Sequence, residues 1–190
     1  MLVAIVALES YSRQNNGKYH QTVHAWLNYM QEFWIDKSTG LISSMIPVHE
    51  YSMVRYPIKG SYSALNCYYL TFIDEDFARN QYLKLKENFL QSRPFTGFKE
   101  NIYGSKWLGF DIDAGHIIFT LSPTGTAFGI GSATYFKDTL IRTGLLRTAE
   151  IAGSTVSSDN KSHYLLADIA LVGEAITLAM RTNVKKLVKQ

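Results

Sequence analysis

Apolar residues recur along this chain at the spacing of α-helices, and the pattern predicts seven of them. The expected ranges are residues 2–13, 19–35, 60–73, 75–92, 122–136, 137–151 and 163–182. The second carries an apolar stripe at spacings of three and four residues, formed by Val23, Trp26, Leu27, Met30, Phe33 and Trp34. A helix with such a stripe packs one face and exposes the other.

Charge alternates from one predicted helix to the next. The first, third, fifth and seventh are nearly uncharged, whereas the second, fourth and sixth are amphipathic. Because a helix that is apolar all round must be covered all round, the uncharged helices are expected inside and the amphipathic ones outside. This order favours an all-α fold with an α/α-toroid arrangement. A stacked solenoid or a simple bundle could show the same alternation of uncharged and amphipathic helices.

Two connections, residues 36–59 and 93–121, are too long to be simple links. Each joins an outer helix to the next inner one, so both are expected to open at the same end of the fold and to carry a binding site there. The first contains two short β-like runs around His49 and Glu50, which predict a small β-hairpin within residues 41–59.

Several segments in a fixed order carry a resemblance to a known family. They are LVAIVALESY, WLNYMQEFWIDKSTGLISSMI, KGSYSALNCYYLTFIDEDFARNQYLKLKENFL, GFKEN, DIDAGHIIFTLSPTGTAFGIGSA and HYLLADIAL. Together they resemble the C-terminal half of a family of uncharacterised bacterial α/α six-barrel (six-hairpin) proteins, distantly related to linalool dehydratase/isomerase and to six-hairpin glycosidases. The family's Asp-x-Asp-Ser/Ala-Gly-Pro motif reads DIDAGH here, with His116 in place of proline.

The resemblance implies that residues 1–190 form one α/α-toroid domain or fragment that supplies about half a barrel, with a basic tail at 183–190. The family's Trp-Pro-Ser/Ala-Asp segment, which usually precedes the residues matching Leu2–Leu8, is absent. We therefore expect the chain either to self-associate or to require a missing N-terminal half. The catalytic cysteines of the terpene enzyme have no counterpart that aligns with Cys67.

Composition excludes several classes of protein. A chain that is 46% hydrophobic and 18% charged is an ordered one. Its net charge of +3 has no basic stripe interleaved with exposed aromatic residues, which disfavours nucleic-acid binding. The single Cys67 excludes an internal disulfide and a multi-cysteine metal site. No metal and no cofactor are predicted for the site. The apolar start is too short to cross a bilayer and lacks signal-peptide features, and the cell compartment stays undetermined.

Four carboxylates are the candidates for acid–base chemistry. Asp111 and Asp113 are two residues apart and could share a proton, a metal ion or a sugar hydroxyl, or could instead cap a helix and hold loop amides. Glu100 lies upstream in the same connection and could pair with either aspartate, because glycoside hydrolysis requires two carboxylates flanking the bond. Asp168 lies on the apolar seventh helix, where charge is costly unless it faces a cavity or a partner.

Substrate contacts are expected from residues near the two long connections, namely His116, Trp107, Tyr103, Tyr62 and His49. The aromatic side chains could stack on a ligand or pack the loop against the helices. His20 and His24 are four residues apart on a helix, but they lack the intervening glutamate of the zinc-protease motif and are interpreted as surface residues.

These observations predict an enzyme-like cleft for a carbohydrate or another hydroxylated small molecule, with glycosidase-like acid–base hydrolysis as the leading activity. Two alternatives stay open: a noncatalytic ligand-binding or assembly module, and a terpenoid lyase or isomerase. Carboxylates on opposite sides of an open groove would favour hydrolysis. Carboxylates consumed by backbone amides would favour the module.

Overall fold

The computed structural model describes residues 1–45, 57–103, 108–111, 114–158, 161–164 and 167–182, with the backbone alone for residues 164 and 167–174. Seven α-helices lie in these ranges. They are α1 (Leu2–Gln14), α2 (His20–Phe33), α3 (Gly60–Leu70), α4 (Glu75–Phe89), α5 (Pro123–Tyr135), α6 (Thr139–Gly153) and α7 (Ala167–Thr182). Each helix predicted from the apolar periodicity is confirmed, with its ends shifted by a few residues.

Three small antiparallel strand pairs accompany the helices. The strands are β1 (Leu90–Gln91), β2 (Gly97–Phe98), β3 (Leu108–Asp111), β4 (Gly115–Ile118), β5 (Thr155–Ser158) and β6 (Lys161–Tyr164), paired in chain order. The fold is therefore predominantly helical, which confirms the all-α expectation in its coarse form. These strand pairs were not predicted, because strands of two to four residues are too short to show a period-two pattern. The hairpin predicted within residues 41–59 falls largely on positions outside the described ranges.

Side-chain caps explain where three of the helices begin. Asp74 accepts a hydrogen bond from the Phe77 amide at the start of α4, and Asp138 accepts one from Ile141 at the start of α6. Ser122 caps α5 by accepting from the Gly125 amide, and Pro123 occupies the first helical position. An N-cap of this kind satisfies amides that have no partner within the helix.

The odd-numbered helices neighbour one another in chain order. Helix α3 packs against α1 and α5, and α5 packs against α7. Helices α2, α4 and α6 pack on α1, α3 and α5 respectively. Every residue of α5 from Gly125 to Ala133 is buried, as expected for an inner helix. Gly129 permits this packing, because a Cβ there would lie 2.3 Å from the Phe98 ring.

The first helix departs from the expectation that every uncharged helix is covered all round. Its buried positions, Leu2, Val6, Glu9 and Ser12, form a single face. Met1, which precedes α1, and Val3 on α1 are exposed, and Leu178 on α7 is exposed as well. Apolar surface is thus open at both ends of the row of odd-numbered helices.

Candidate functional site

Glu100 lies where the N-termini of α3 and α5 meet. Its side chain is fully buried, with 0% exposure. The carboxylate accepts hydrogen bonds from the Ser61 backbone amide at 3.1 Å and the Ser61 hydroxyl at 2.9 Å, and the Ser122 hydroxyl donates a third. Because Ser61 opens α3 and Ser122 caps α5, one carboxylate joins both helix N-termini, where negative charge is favoured.

Burial raises the pKa of the Glu100 carboxyl. The hydrogen bonds from Ser61 and Ser122 oppose this effect, and the negative charge of Asp111 adds to it, so the pKa lies above its ordinary value. The influence of Asp111 also shows that the two carboxylates are electrostatic neighbours. The sequence predicts Glu100 as a partner of Asp111 or Asp113 in acid–base chemistry, and this stays a prediction; it did not anticipate that Glu100 is inaccessible.

A glycine allows the segment around Glu100 to approach α3 closely. The Gly60 amide donates to the Glu100 carbonyl oxygen at 2.9 Å. A Cβ at position 60 would lie only 1.8 Å from the Lys99 carbonyl oxygen, so no other residue fits without a shift of backbone. The sequence Gly60–Ser61 therefore holds Glu100 in two ways, by leaving room for its backbone and by donating to its side chain.

Asp111 forms an ion pair with Lys59. The Lys59 Nζ lies 3.0 Å from Oδ1 and 2.9 Å from Oδ2, and the side chains are 14% and 20% exposed respectively. Asp111 Oδ1 also accepts from the Ala114 amide at 3.2 Å, within the turn of the β3–β4 hairpin. The ion pair joins the end of the first long connection to the second. This supports the expectation that both connections open at the same end.

A cavity of about 330 Å³ lies between α1, α2, α3 and residues 42–44. Its wall combines aromatic, aliphatic and small polar residues: Met1, Leu2, Val3, Trp26, Met30, Trp34, Ile42, Ser43, Ser44, Tyr62, Leu65 and Asn66. Tyr62 and Leu65 also line a smaller neighbouring cavity with Ser61 and Thr124. Ser44 connects the larger cavity to the ion pair, because its hydroxyl accepts from the Lys59 amide at 2.8 Å. We call the two cavities together the Tyr62 cleft.

One tryptophan of the cleft wall carries a buried hydrogen-bond donor that has no partner among the described residues. The indole rings of Trp26 and Trp34 meet edge to face, with ring centroids 5.5 Å apart. Trp26 Nε1 is buried and has no hydrogen-bond partner among the described residues. A buried N–H group without a partner is energetically unfavourable.

The other predicted contact residues lie elsewhere or outside the described ranges. His116 is exposed on β4, with its ring 5.4 Å from the Phe110 ring, and Tyr103 is 90% exposed. Neither belongs to the wall of the Tyr62 cleft. His49, Trp107 and Asp113 fall outside the described residues, and Asp168 lies in α7 where only the backbone is described.

Sequence reasoning missed Lys59, Trp26, Trp34 and Asn66 as parts of the site. Lys59 had a signal in the sequence, because it is a cation directly before a helix that has no charge of its own. The two tryptophans had none, since their spacing fits an ordinary apolar helix face. Local periodicity does not separate a side chain that fills the core from one that lines a cavity.

A second cavity, of about 290 Å³, lies between α5, α6 and α7. Its wall is largely apolar and includes Phe95 and Phe119, whose ring centroids are 5.0 Å apart. Of the residues predicted to act in catalysis or binding, none whose side chain the structure describes lines it. This cavity is more hydrophobic than the Tyr62 cleft. Its described wall has no charged side chain for acid–base chemistry.

Within the described ranges, no group of three or more histidine, cysteine or acidic side chains is arranged to enclose a metal ion. None of the helices in those ranges has the length and apolar character needed to cross a membrane. Comparison with known proteins finds no protein-family model and no curated protein that matches the chain.

The two described carboxylates are engaged in contacts within the protein. Glu100 has no exposed surface, and its acceptor oxygens already hold hydrogen bonds from Ser61 and Ser122. Asp111 keeps a small exposed fraction but contacts Lys59 with both oxygens. The Tyr62 cleft beside them offers aromatic faces together with hydroxyl and amide groups.

Proposed function

We propose that the protein binds a hydroxylated small molecule in the Tyr62 cleft, with carbohydrates as the leading class. The observation that carries this proposal is the composition of the cleft wall, in which Trp26, Trp34 and Tyr62 stand beside Ser43 and Asn66. Ligand sites are typically concave and mostly apolar, with a few polar groups that fix orientation. Aromatic faces suit the C–H faces of a sugar ring, while the polar groups suit its hydroxyls.

Recognition without turnover is the function that the described carboxylates support best. A general acid or base must come within hydrogen-bond reach of the substrate, and Glu100 has no exposed surface for such a contact. Its role is to hold two helix N-termini beside the cleft. Lys59 and Asp111 in turn hold the two long connections together.

Glycosidase-like hydrolysis is the second candidate. One observation favours it: Asp111 is partly exposed, and the pKa of the Glu100 carboxyl, which Asp111 influences, is raised. Two neighbouring carboxyl groups with different pKa values are typical of acid–base pairs. In this case Asp111 and Asp113 would carry the chemistry, with Asp168 as a further acid–base candidate. Glu100 would then hold the N-termini of α3 and α5 in place beside the cleft without contacting the substrate.

Isothermal titration calorimetry with a panel of neutral mono- and oligosaccharides and polyols tests the proposal. We expect saturable binding of at least one member, weakened about tenfold by Asn66→Ala, which removes a hydrogen-bonding group from the cleft. Asn28→Ala, at an exposed position of α2, is the matched control and should bind as the wild type does. Incubation of the bound sugar with the protein, followed by product analysis, separates the two candidates. Hydrolysis that Asp111→Asn abolishes would favour the enzyme.

We also propose that the odd-numbered helices form an arc of an α/α toroid, about half a barrel, as the family resemblance implies. The chain-order packing of α1, α3, α5 and α7 supports this arrangement, as does the shared junction at the N-termini of α3 and α5. A stacked solenoid would have the same neighbour relations along the chain.

An arc with apolar side chains exposed at both ends is expected to self-associate. Multi-angle light scattering of the wild type should give a mass above the 21.5 kDa of one chain. Lysine at both Val3 and Leu178 should shift the mass to that of a monomer, because charge in a buried apolar interface is unfavourable. Leu140→Lys is the matched control, at an 80% exposed position of the outer helix α6. A wild-type monomer, or equal effects of all these changes, would contradict the proposal.

A further inference from the structure

His20 and His24 form a compact pair at the start of α2. Their Nε2 atoms are 2.9 Å apart, and their rings meet edge to face with centroids separated by 4.3 Å. The separation of four residues places both side chains on one face of the helix. His20 is 57% exposed and His24 is also exposed, so ions in solution can reach the pair.

The pair is anchored to the preceding helix by a buried carboxylate. Glu9 on α1 is 3% exposed, and its Oε2 lies 3.3 Å from His20 Nδ1. Its other oxygen accepts from Arg13 Nε at 2.8 Å. The Arg13 guanidinium thus forms an ion pair with the Glu9 carboxylate, whose second oxygen faces the His20 ring.

An ionised carboxylate only accepts hydrogen bonds, which fixes the tautomer of His20. The Nδ1 of His20 must carry the hydrogen that faces Glu9, so in the neutral ring Nε2 presents its lone pair outward. In the metal-free protein this lone pair accepts from His24 Nε2–H. A carboxylate that accepts from the other ring nitrogen of a metal-binding histidine orients the ring and raises its basicity.

We propose that His20 and His24 bind one divalent transition-metal ion of the zinc, nickel or copper type through their Nε2 atoms, with Glu9 as the carboxylate that orients His20. Nitrogen ligands at about 2.0–2.1 Å from an ion stand about 2.9–3.4 Å apart at adjacent coordination positions, and the 2.9 Å observed here lies in that range. On binding, the His24 proton moves through solvent to Nδ1, and water completes the coordination.

The proposed site differs from a closed structural metal site. It has two protein ligands, whereas the described ranges hold no group of three or more histidine, cysteine or acidic side chains that could enclose an ion. Imidazole ligands suit zinc, nickel and copper better than magnesium or calcium. Because Glu9 lies on α1 and both histidines lie on α2, a bound ion would stabilise the turn that joins these helices.

Calorimetric titration of the full chain, purified without a polyhistidine tag, tests the proposal with ZnCl₂, NiCl₂ and CuCl₂ as probes. We expect saturable binding of about one ion per chain for at least one of them, following the imidazole preference of these metals. His20→Ala and His24→Ala should each abolish it. Glu9→Gln should weaken it by about 10- to 100-fold while leaving both ligands in place.

His116→Ala is the matched control, because it removes an exposed histidine that has no part in the pair. Far-UV circular dichroism identifies any variant that fails to fold, and the ion should raise the unfolding midpoint of the wild type and His116→Ala but not of His20→Ala. The proposal is overturned if the wild type shows no saturable binding. It is also overturned if folded His20→Ala or His24→Ala binds the ion as tightly as the wild type. Unchanged binding by Glu9→Gln would contradict the role of Glu9 in orienting His20.

Discussion

Alanine at Gly60 is expected to destabilise the protein more than any other single substitution around the site, by about 4 kcal/mol. The added Cβ would lie 1.8 Å from the Lys99 carbonyl oxygen, an atom that cannot move without shifting the strand residues next to Glu100. The substitution therefore forces α3 and the β2 segment apart. Urea unfolding followed by circular dichroism measures the loss.

Gly125→Ala is the matched control for this prediction. It also places a Cβ near the junction of α3 and α5, but its nearest contacts are 3.3 Å, and alanine favours a helix over glycine. We expect a change within about 1 kcal/mol. Equal effects of the two substitutions would show that the close approach at Gly60 is not what holds Glu100 in place.

Glu100→Ala is expected to cost about 3 kcal/mol of unfolding free energy. The substitution leaves the Ser61 amide, the Ser61 hydroxyl and the Ser122 hydroxyl without their acceptor, and a buried donor without a partner costs about 1–3 kcal/mol. Glu100→Gln keeps the side-chain volume and one acceptor oxygen, so it should cost less than Glu100→Ala. The same unfolding experiment at neutral pH measures both.

The pH dependence of stability gives a second test of Glu100. Its pKa is raised above the ordinary value of 4.5, so between these two pKa values the folded state binds more protons than the unfolded state. The wild type should therefore lose stability as pH rises through this window, and the loss is complete above the raised pKa.

Subtracting the stability of Glu100→Gln at each pH removes the titration of the other groups. The free energy of unfolding of the wild type should rise relative to that of Glu100→Gln as pH falls from neutral towards 4.5. A difference that is independent of pH, or that moves in the opposite direction, would mean that Glu100 is not a buried carboxylate with a raised pKa.

The helices could be predicted from the sequence because their signals are local. Apolar spacing, the cap formed by Ser122 and the acidic first turn Glu75–Asp76 each lie within one helix. The alternation of charge also anticipated that α5 would be buried all round. The strands β1 and β2 escaped prediction because each has two residues and depends on a partner across a turn.

The site could be predicted only in part, because its decisive features are contacts between distant segments. Placing Glu100 near Asp111 required only the idea that both lie in one long connection. The burial of Glu100 depends on Gly60, some 40 residues earlier in the chain, and the partner of Asp111 proved to be Lys59. Such contacts leave no spacing pattern in the sequence. The sequence alone therefore could not distinguish a catalytic role of these carboxylates from a structural one.

Tryptophan fluorescence tests the central claim, that the Tyr62 cleft binds a hydroxylated ligand, most directly. The chain has three tryptophans, and Trp107→Phe leaves Trp26 and Trp34, both in the cleft wall, as the reporters. Titration of this variant with the sugar selected by calorimetry should give a saturable change in emission. Asn66→Ala in the same background should shift the midpoint about tenfold, and Asn28→Ala should not. Emission that is unchanged at saturating sugar, or equal midpoints for both variants, would contradict the claim.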